Sequence, residues 1–313
     1  MRGDIRRAAE ILRAGGLVAF PTETVYGLGA DASSPAAVAR LYAAKRRPLE
    51  HPVIVHFADA ARAFEWAREI PEAARKLAAR FWPGPLTLIL KRSERAGDFV
   101  TGGQDTIGVR VPSHPVAHAM LEAFGGGVAA PSANRFGKVS ATTAAHARED
   151  LGEDAELVLE GGPSEIGIES TILDLSRGKP VLLRPGRISA AELEAVLGEP
   201  VVQGEAQAPR APGTLERHYA PRTPARLIAP HALDAEIGGA GGRAAVLAFS
   251  RPDERVDYWL RMPREPEAYA QRLYAALREL DAAGRELILV ESPPDTPEWA
   301  AVLDRLRRAT SSG

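Results

Sequence analysis

The sequence predicts an α/β protein in two parts, a larger mixed α/β domain followed by a smaller three-layer α/β domain. Two observations carry this expectation. Apolar runs of strand length alternate with helix-period segments along most of the 313 residues, and the alternation dissolves between Gly198 and Pro224, a stretch rich in Gly, Pro, Gln and Ala. The expected boundaries are therefore 1–204 for the first domain, 205–224 for a linker and 225–313 for the second.

Taken in order, apolar residues recur at helical spacing over Ile5–Leu12, and Gly15-Gly16 stops that helix before a strand at Leu17–Phe20. A helix over Pro35–Ala44, a strand at Val53–Phe57, helical periods over Ala58–Trp66 and Pro71–Phe81, and a strand at Leu86–Leu90 follow. Ile107–Val111, Val128–Ala130, Leu157–Leu159, Thr171–Leu175 and Val181–Leu183 read as strands; Val116–Phe124, Thr142–Leu151 and Ala190–Leu197 read as helices. In the second domain, strands at Leu227–Ala229, Ala245–Phe249 and Leu287–Val290 accompany helices over Glu267–Ala283 and Trp299–Arg308. Gly238–Gly242 precedes a strand where a phosphate loop would follow one, so it reads as a flexible connection.

The chain contains no Cys, which removes disulfides, thiolate nucleophiles and iron–sulfur clusters and leaves His, Asp and Glu as metal ligands. Bases and acids number 24 and 26 through residue 205, then 15 and 15 after it, so neither half is basic enough for nonspecific nucleic-acid binding. Any anion site must be local. No apolar run of membrane-spanning length and no signal-peptide core occur, so the expected compartment is the cytoplasm, with no membrane partner.

Five clusters could carry chemistry. Phe20 through Ala32 empties a strand into hydroxyls, Glu23 and two glycines, which suits a tight turn or a ligand-binding loop. Lys45-Arg46-Arg47 either complements a helix dipole or holds a polyphosphate. Arg110, inside an apolar strand, needs an anion, from a structural carboxylate or from a ligand. Ser132 and Asn134 could meet a phosphate near a helix N-terminus that Ser140 or Thr142 could cap. The fifth pairs Ile168-Glu169-Ser170-Thr171, entering a strand, with Arg184, leaving one. Walker and nucleophile-elbow motifs are missing, Gly27–Ala32 fits a dinucleotide fingerprint poorly, and His114 and His118 lack the Glu and third ligand of a zinc protease.

In this order the clusters resemble the threonylcarbamoyl-AMP synthase, or YrdC-like, family. Its signatures are Pro21 through Gly29, the K-x-R element at Lys45 and Arg47, and the S-x-N element at Ser132 and Asn134, while the linker with His218-Tyr219 resembles the two-domain branch. Arg46 stands where the family usually has Gly, and His51 where it has Asn. The resemblance implies a twisted mixed sheet with a central cavity, plus a Rossmann-like second domain. It implies that L-threonine, bicarbonate and ATP give threonylcarbamoyl-AMP, with Mg²⁺ accompanying ATP and a downstream transferase complex passing the product to tRNA. Lys45 and Arg47 would be catalytic. With His51, Thr106, Ser132, Asn134, Thr142, Arg184 and Tyr219 they would hold ATP; Thr24, His56, Arg110 and Ser170 would hold threonine. No protein metal ligands are expected, and the linker is expected to cover the site. The rivals are an RNA-binding module without chemistry and a carbamoyltransferase that makes carbamoyl adenylate, whose relatives carry Cys-rich zinc fingers.

Overall fold

A computed structural model describes residues 2–204, 208–213 and 218–311. The chain divides into one unit of residues 1–136, 141–165 and 169–214 and a second of 137–140, 166–168 and 215–313. The expected linker is shared between them: 208–213 belong to the first unit and 218–224 to the second, while 205–207 and 214–217 lie outside the described residues.

In the first unit the described strands are β1 (Val18–Phe20), β2 (Gly27–Asp31), β3 (Ile54–His56), β4 (Leu86–Lys91), β5 (Thr106–Arg110), β6 (Val128–Ala129), β7 (Leu157–Val158), β8 (Thr171–Asp174), β9 (Val181–Arg184) and β10 (Val202–Gln203). They form one mixed sheet in the order β10-β9-β8-β4-β5-β3-β6-β2-β1-β7. The helices are α1 (Arg2–Arg13), α2 (Pro35–Lys45), α3 (Ala60–Phe64), α4 (Glu72–Phe81), α5 (Asp98–Thr101), α6 (Pro115–Phe124), α7 (Ala144–Leu151) and α8 (Ala190–Leu197). Their ends follow from local chemistry. Ser34 caps α2 ahead of Pro35, and Ser189 with Glu192 forms a capping box on α8, which Gly198 closes in the left-handed region.

Side chains alternate between the two faces of a strand, and here the faces have different fates. On one, Leu28, Val55, Leu86, Leu88, Val109 and Leu173 enter the main core with residues of α2, α4, α7 and α8. On the other, α1 and α6 cover the β1–β2–β6 end, packing Leu12, Met120 and Leu121 against Val18, Phe20, Val128 and Ala130. The β3-β5-β4-β8-β9 part of that second face carries the site.

Three expectations are corrected. Gly27 and Gly29 make no turn; they lie in β2, paired antiparallel with β1, because a Cβ on Gly29 would stand 2.7 Å from Val128 Cγ1 and 3.0 Å from Phe20 Cε1. Thr143, rather than Ser140 or Thr142, caps α7 by accepting from the His146 amide. Arg184 ends β9 from inside the strand.

In the second unit, β11 (Ala225–Ile228), β12 (Ala244–Ala248), β13 (Tyr258–Arg261) and β14 (Leu287–Glu291) form a parallel sheet in the order β11-β14-β12-β13, with α9 (Leu233–Ala240), α10 (Pro266–Ala282) and α11 (Ala300–Thr310). Val246, Ala248 and Leu289 pack on one face with Ile237 of α9; their neighbours Ala245, Leu247, Ile288 and Val290 are equally buried on the other, so both faces are covered. Gly238 and Gly239 lie inside α9 and Gly241 closes it in the left-handed region, so this cluster ends a helix where a flexible connection was expected. β13, an edge strand with half-buried residues, was not anticipated.

Candidate active site

Strand register builds the centre of the site. Arg184 pairs with Ile172, Ile172 with Thr87, and His56 with Arg110, while Thr87 and Arg110 flank the Leu88–Val109 pair. Four polar side chains, Arg184, Thr87, Arg110 and His56, therefore lie in one row across adjacent strands, on the part of the sheet face without helices. All four are buried. Burying such groups is costly unless they are paired, and most are. Arg110 donates through Nη2 to Glu23 Oε1 at 2.7 Å and through Nε to the Gly84 carbonyl at 3.3 Å, while Glu23 Oε2 accepts from the Ser113 amide at 3.1 Å. Ser170 Oγ lies 2.8 Å from Thr87 Oγ1 and accepts from Arg184 Nη2 at 3.1 Å; Arg184 Nη1 donates to the Pro212 carbonyl at 2.8 Å.

His56 is the exception, because its Nδ1 is buried without a hydrogen-bond partner. Burial first, and the Arg110 charge second, lower its pKa to about 3, so the ring is neutral at physiological pH. A neutral imidazole nitrogen beside a guanidinium offers a ligand a hydrogen-bond site without adding charge.

Thr24 follows Glu23, the partner of Arg110, in the β1–β2 connection. Its hydroxyl, fully buried, lies 2.8 Å from Thr22 Oγ1, which donates to the Val25 carbonyl at 2.5 Å and locks the connection into a compact turn. Farther along, the Ala133 amide donates to the Tyr26 carbonyl at 2.7 Å, and Gly27 bridges to Ser132. The S-x-N element is thereby attached to the same connection as Glu23 and Thr24.

Lys45 closes this corner. It is the last residue of α2, fully buried, and its Nζ donates to the carbonyls of Ser132 and Asn134. Burial holds its pKa well below the usual lysine range, and Arg47 and Arg135 push it the same way. A bound anion would reverse that balance. Arg46, in the left-handed region at φ 53°, turns the chain so that Arg47 lies between the Tyr42 and Phe136 rings, 5.9 and 5.4 Å from their centroids, and donates to the Pro52 carbonyl at 2.7 Å. His51 packs on Phe136 at 5.4 Å, its pKa lowered by burial and then by Arg47. Thr142 is buried with its hydroxyl 3.3 Å from His146 Nδ1.

Of the remaining expected residues, Thr106 shares the face of Arg110 but at the opposite end of β5, roughly 13 Å along the strand. Tyr219 belongs to the second unit, where its ring stacks on Tyr274 at 5.7 Å beneath the Arg305 guanidinium at 5.3 Å. In the described part of the linker in the first unit, Ala211 packs on Ile54, Ile89 and Ile172, apolar residues of the strands that carry the row, and Gln104 clasps Arg210, donating to its carbonyl at 3.1 Å and accepting from its amide at 2.7 Å.

Sequence reasoning gave no role to Glu23, Thr87 or Gln104. Thr87 had a usable signal, as a hydroxyl inside the apolar run Leu86–Leu90. No group of three or more His, Asp or Glu residues suited to a metal ion exists among the described residues.

Comparison with known proteins points one way. A family model described as "Telomere recombination" matches residues 10–186, and one described as "Threonylcarbamoyl-AMP synthase, C-terminal domain" matches 188–311. The threonylcarbamoyl-AMP synthase of Pyrococcus abyssi is 42% identical over 98% of this chain and 94% of its own length. That of Bacillus subtilis is 40% identical over 97% of this chain and 92% of its own. The crystal structure of the Pyrococcus abyssi Sua5 protein complexed with L-threonine superposes with a TM-score of 0.91 at 41% identity, covering 98% of this chain and 94% of that one.

Proposed function

The chain belongs to the threonylcarbamoyl-AMP synthase family, and on that premise we propose that it condenses L-threonine, bicarbonate and ATP into threonylcarbamoyl-AMP and pyrophosphate. The observation that carries this reading is the buried polar row on the β3-β5-β4-β8-β9 stretch of sheet, accompanied by a separate cluster of cations at Lys45 and Arg47.

Threonine fits the row. Its carboxylate meets the Arg110 fork beside Glu23, its ammonium and hydroxyl fall to the oxygens around Thr24 and Ser170, and neutral His56 accepts from it. Bicarbonate and the threonine amine form N-carboxythreonine with loss of water. Its carboxylate oxygen then attacks the α-phosphorus of ATP, and the bond to the bridging oxygen of pyrophosphate breaks. Such a displacement calls for alignment and charge neutralisation, and no protein nucleophile takes part. Lys45, Arg47, Ser132, Asn134, Thr142 and Arg184 surround the phosphates in this scheme, and Mg²⁺ enters as part of the MgATP substrate, held by phosphate oxygens and water. His51 and Thr106 lie at the rim of the nucleotide region. Because Arg184 binds the Pro212 carbonyl, nucleotide entry exchanges one carbonyl for a phosphate oxygen, a stronger partner.

The product is a mixed anhydride, so a separate transferase must consume it, passing threonylcarbamoyl to tRNA in the cytoplasm; no helix among the described residues is long and apolar enough to cross a membrane. The test is pyrophosphate release with ATP, threonine and bicarbonate omitted in turn. We expect release only with all three. Release without threonine, or with carbamoyl phosphate in place of threonine and bicarbonate, would reject the assignment.

A further inference from the structure

All four strands of the second unit point their carboxyl ends at one cavity of about 480 Å³. β11 runs out into Pro230, β12 into Phe249 and β13 toward Arg264, while β14 ends on Glu291 and continues to Asp295; Trp299 closes the wall. Open parallel sheets bind ligands outside the carboxyl ends of their strands, and this volume suits a small metabolite.

Part of the wall is aromatic. Phe249 and Trp299 meet edge to face at 5.7 Å, and Tyr269 packs against both, at 5.6 and 5.4 Å. The Tyr269 hydroxyl is buried with no hydrogen-bond partner, an open donor that the packing of this unit does not use.

Charge decides what the cavity can hold. Glu291 spends Oε2 on the Phe249 amide at 2.7 Å, and Arg264 lies over the Phe249 ring at 5.7 Å while donating to Ser250 Oγ at 2.8 Å. Both are thus anchored to the same residue, one at its backbone and one at its ring, yet among the described residues neither forms an ion pair with the other or with any third group. Asp295, by contrast, pairs with Arg307 at 3.4 Å. Opposite charges that line one cavity without neutralising each other match a ligand carrying both signs. A polyphosphate would meet a single arginine against two carboxylates.

We propose that this cavity binds a free α-amino acid with an apolar side chain. Its ammonium faces Glu291, its carboxylate sits in the Arg264 fork, and its side chain lies against Phe249 and Trp299.

Titration calorimetry on the full chain tests this with L-leucine, L-leucinamide, which lacks the carboxylate, N-acetyl-L-leucine, which lacks the ammonium, and AMP. We expect L-leucine to bind and each blocked analogue to bind at least about tenfold more weakly, the cost of one lost charge-assisted contact. Arg264→Ala and Glu291→Gln should each weaken leucine by a similar factor and leave threonine-dependent pyrophosphate release unchanged, whereas Arg110→Lys should leave leucine binding intact. Arg264 is exposed, so its removal leaves the fold in place. No heat with leucine at millimolar concentration, equal binding of the blocked analogues, insensitivity to Arg264→Ala and Glu291→Gln, or binding of AMP in its place would each overturn the proposal.

Discussion

Two halves of one sheet face divide the labour of the first unit. At the β1–β2–β6 end, Val18, Phe20, Val128 and Ala130 pack dry against α1 and α6. A few strands away on the same face, the outward positions hold His56, Arg110, Thr87 and Arg184 instead, and their cover is the strap around Ala211 rather than a helix. The dry half gains stability from burying apolar area. The polar half gives some of that up, because each buried polar group must be matched by a partner or left waiting for one.

The largest expected effect comes from the cation cluster that the proposed reaction adds to the polar half. Lys45→Met keeps the length of the side chain and removes the charge. We expect pyrophosphate release to fall about 10²–10³-fold, the usual cost of losing one group aimed at developing charge, with the folded state as stable as before or more so. Activity within tenfold of wild type would remove Lys45 from the chemistry.

The converse change targets the dry half. Leu121 of α6 is fully buried against that face, so Leu121→Ala should cost about 2–5 kcal/mol in denaturant unfolding while kcat/KM per folded molecule stays the same. A loss of activity without loss of stability would mean that the two halves are not separable in this way. Arg110 blurs the division and has to be probed by conservative change, since its ion pair with Glu23 is buried on both sides and removing one partner costs about 3–5 kcal/mol by itself.

The alternation of elements was legible in the sequence, and so were polar residues that end elements, Lys45, His56 and Arg110, or lie just outside them, Ser132, Asn134 and Ser170. Their partners were not, for a physical reason. The contacts that fix Arg110, Ser170 and Arg210 join residues 87, 83 and 106 positions apart, to Glu23, Thr87 and Gln104, and no local pattern encodes such pairings. β2 was hidden differently: Gly27-Leu28-Gly29 has low strand propensity, and the need for glycine appears only once Phe20 and Val128 are in place.

A smaller effect separates the halves by pH. The folded-state pKa of His56, about 3, lies below its unfolded value near 6.5, so the unfolded chain takes up a proton that the folded one refuses. The contribution of this residue is fully present above pH 6.5 and is lost as pH falls toward 3. Between those limits wild-type stability should drop more steeply than that of His56→Gln, by at most about 1.4 kcal/mol per pH unit. Parallel stability profiles for the two proteins would show that His56 is not shielded as its burial implies.

The smallest expected effect concerns the cover itself. A helix pair holds the dry half shut, but the described strap is held by the Gln104–Arg210 pair, the Arg210 contact to the Gly102 carbonyl at 2.9 Å, the Arg184–Pro212 bond and the packing of Ala211. Gln104 sits on the surface side of that clasp, so Gln104→Ala removes two hydrogen bonds worth about 1 kcal/mol each and leaves the row beneath untouched. Hydrogen exchange at the Arg210 amide should speed up roughly tenfold, global unfolding should fall by about the same 1.4 kcal/mol, and the amides of β5 should remain far better protected than that of Arg210. If the amides of β5 lose protection together with Arg210, strap and sheet open as one unit, and the polar half is no more loosely covered than the dry one.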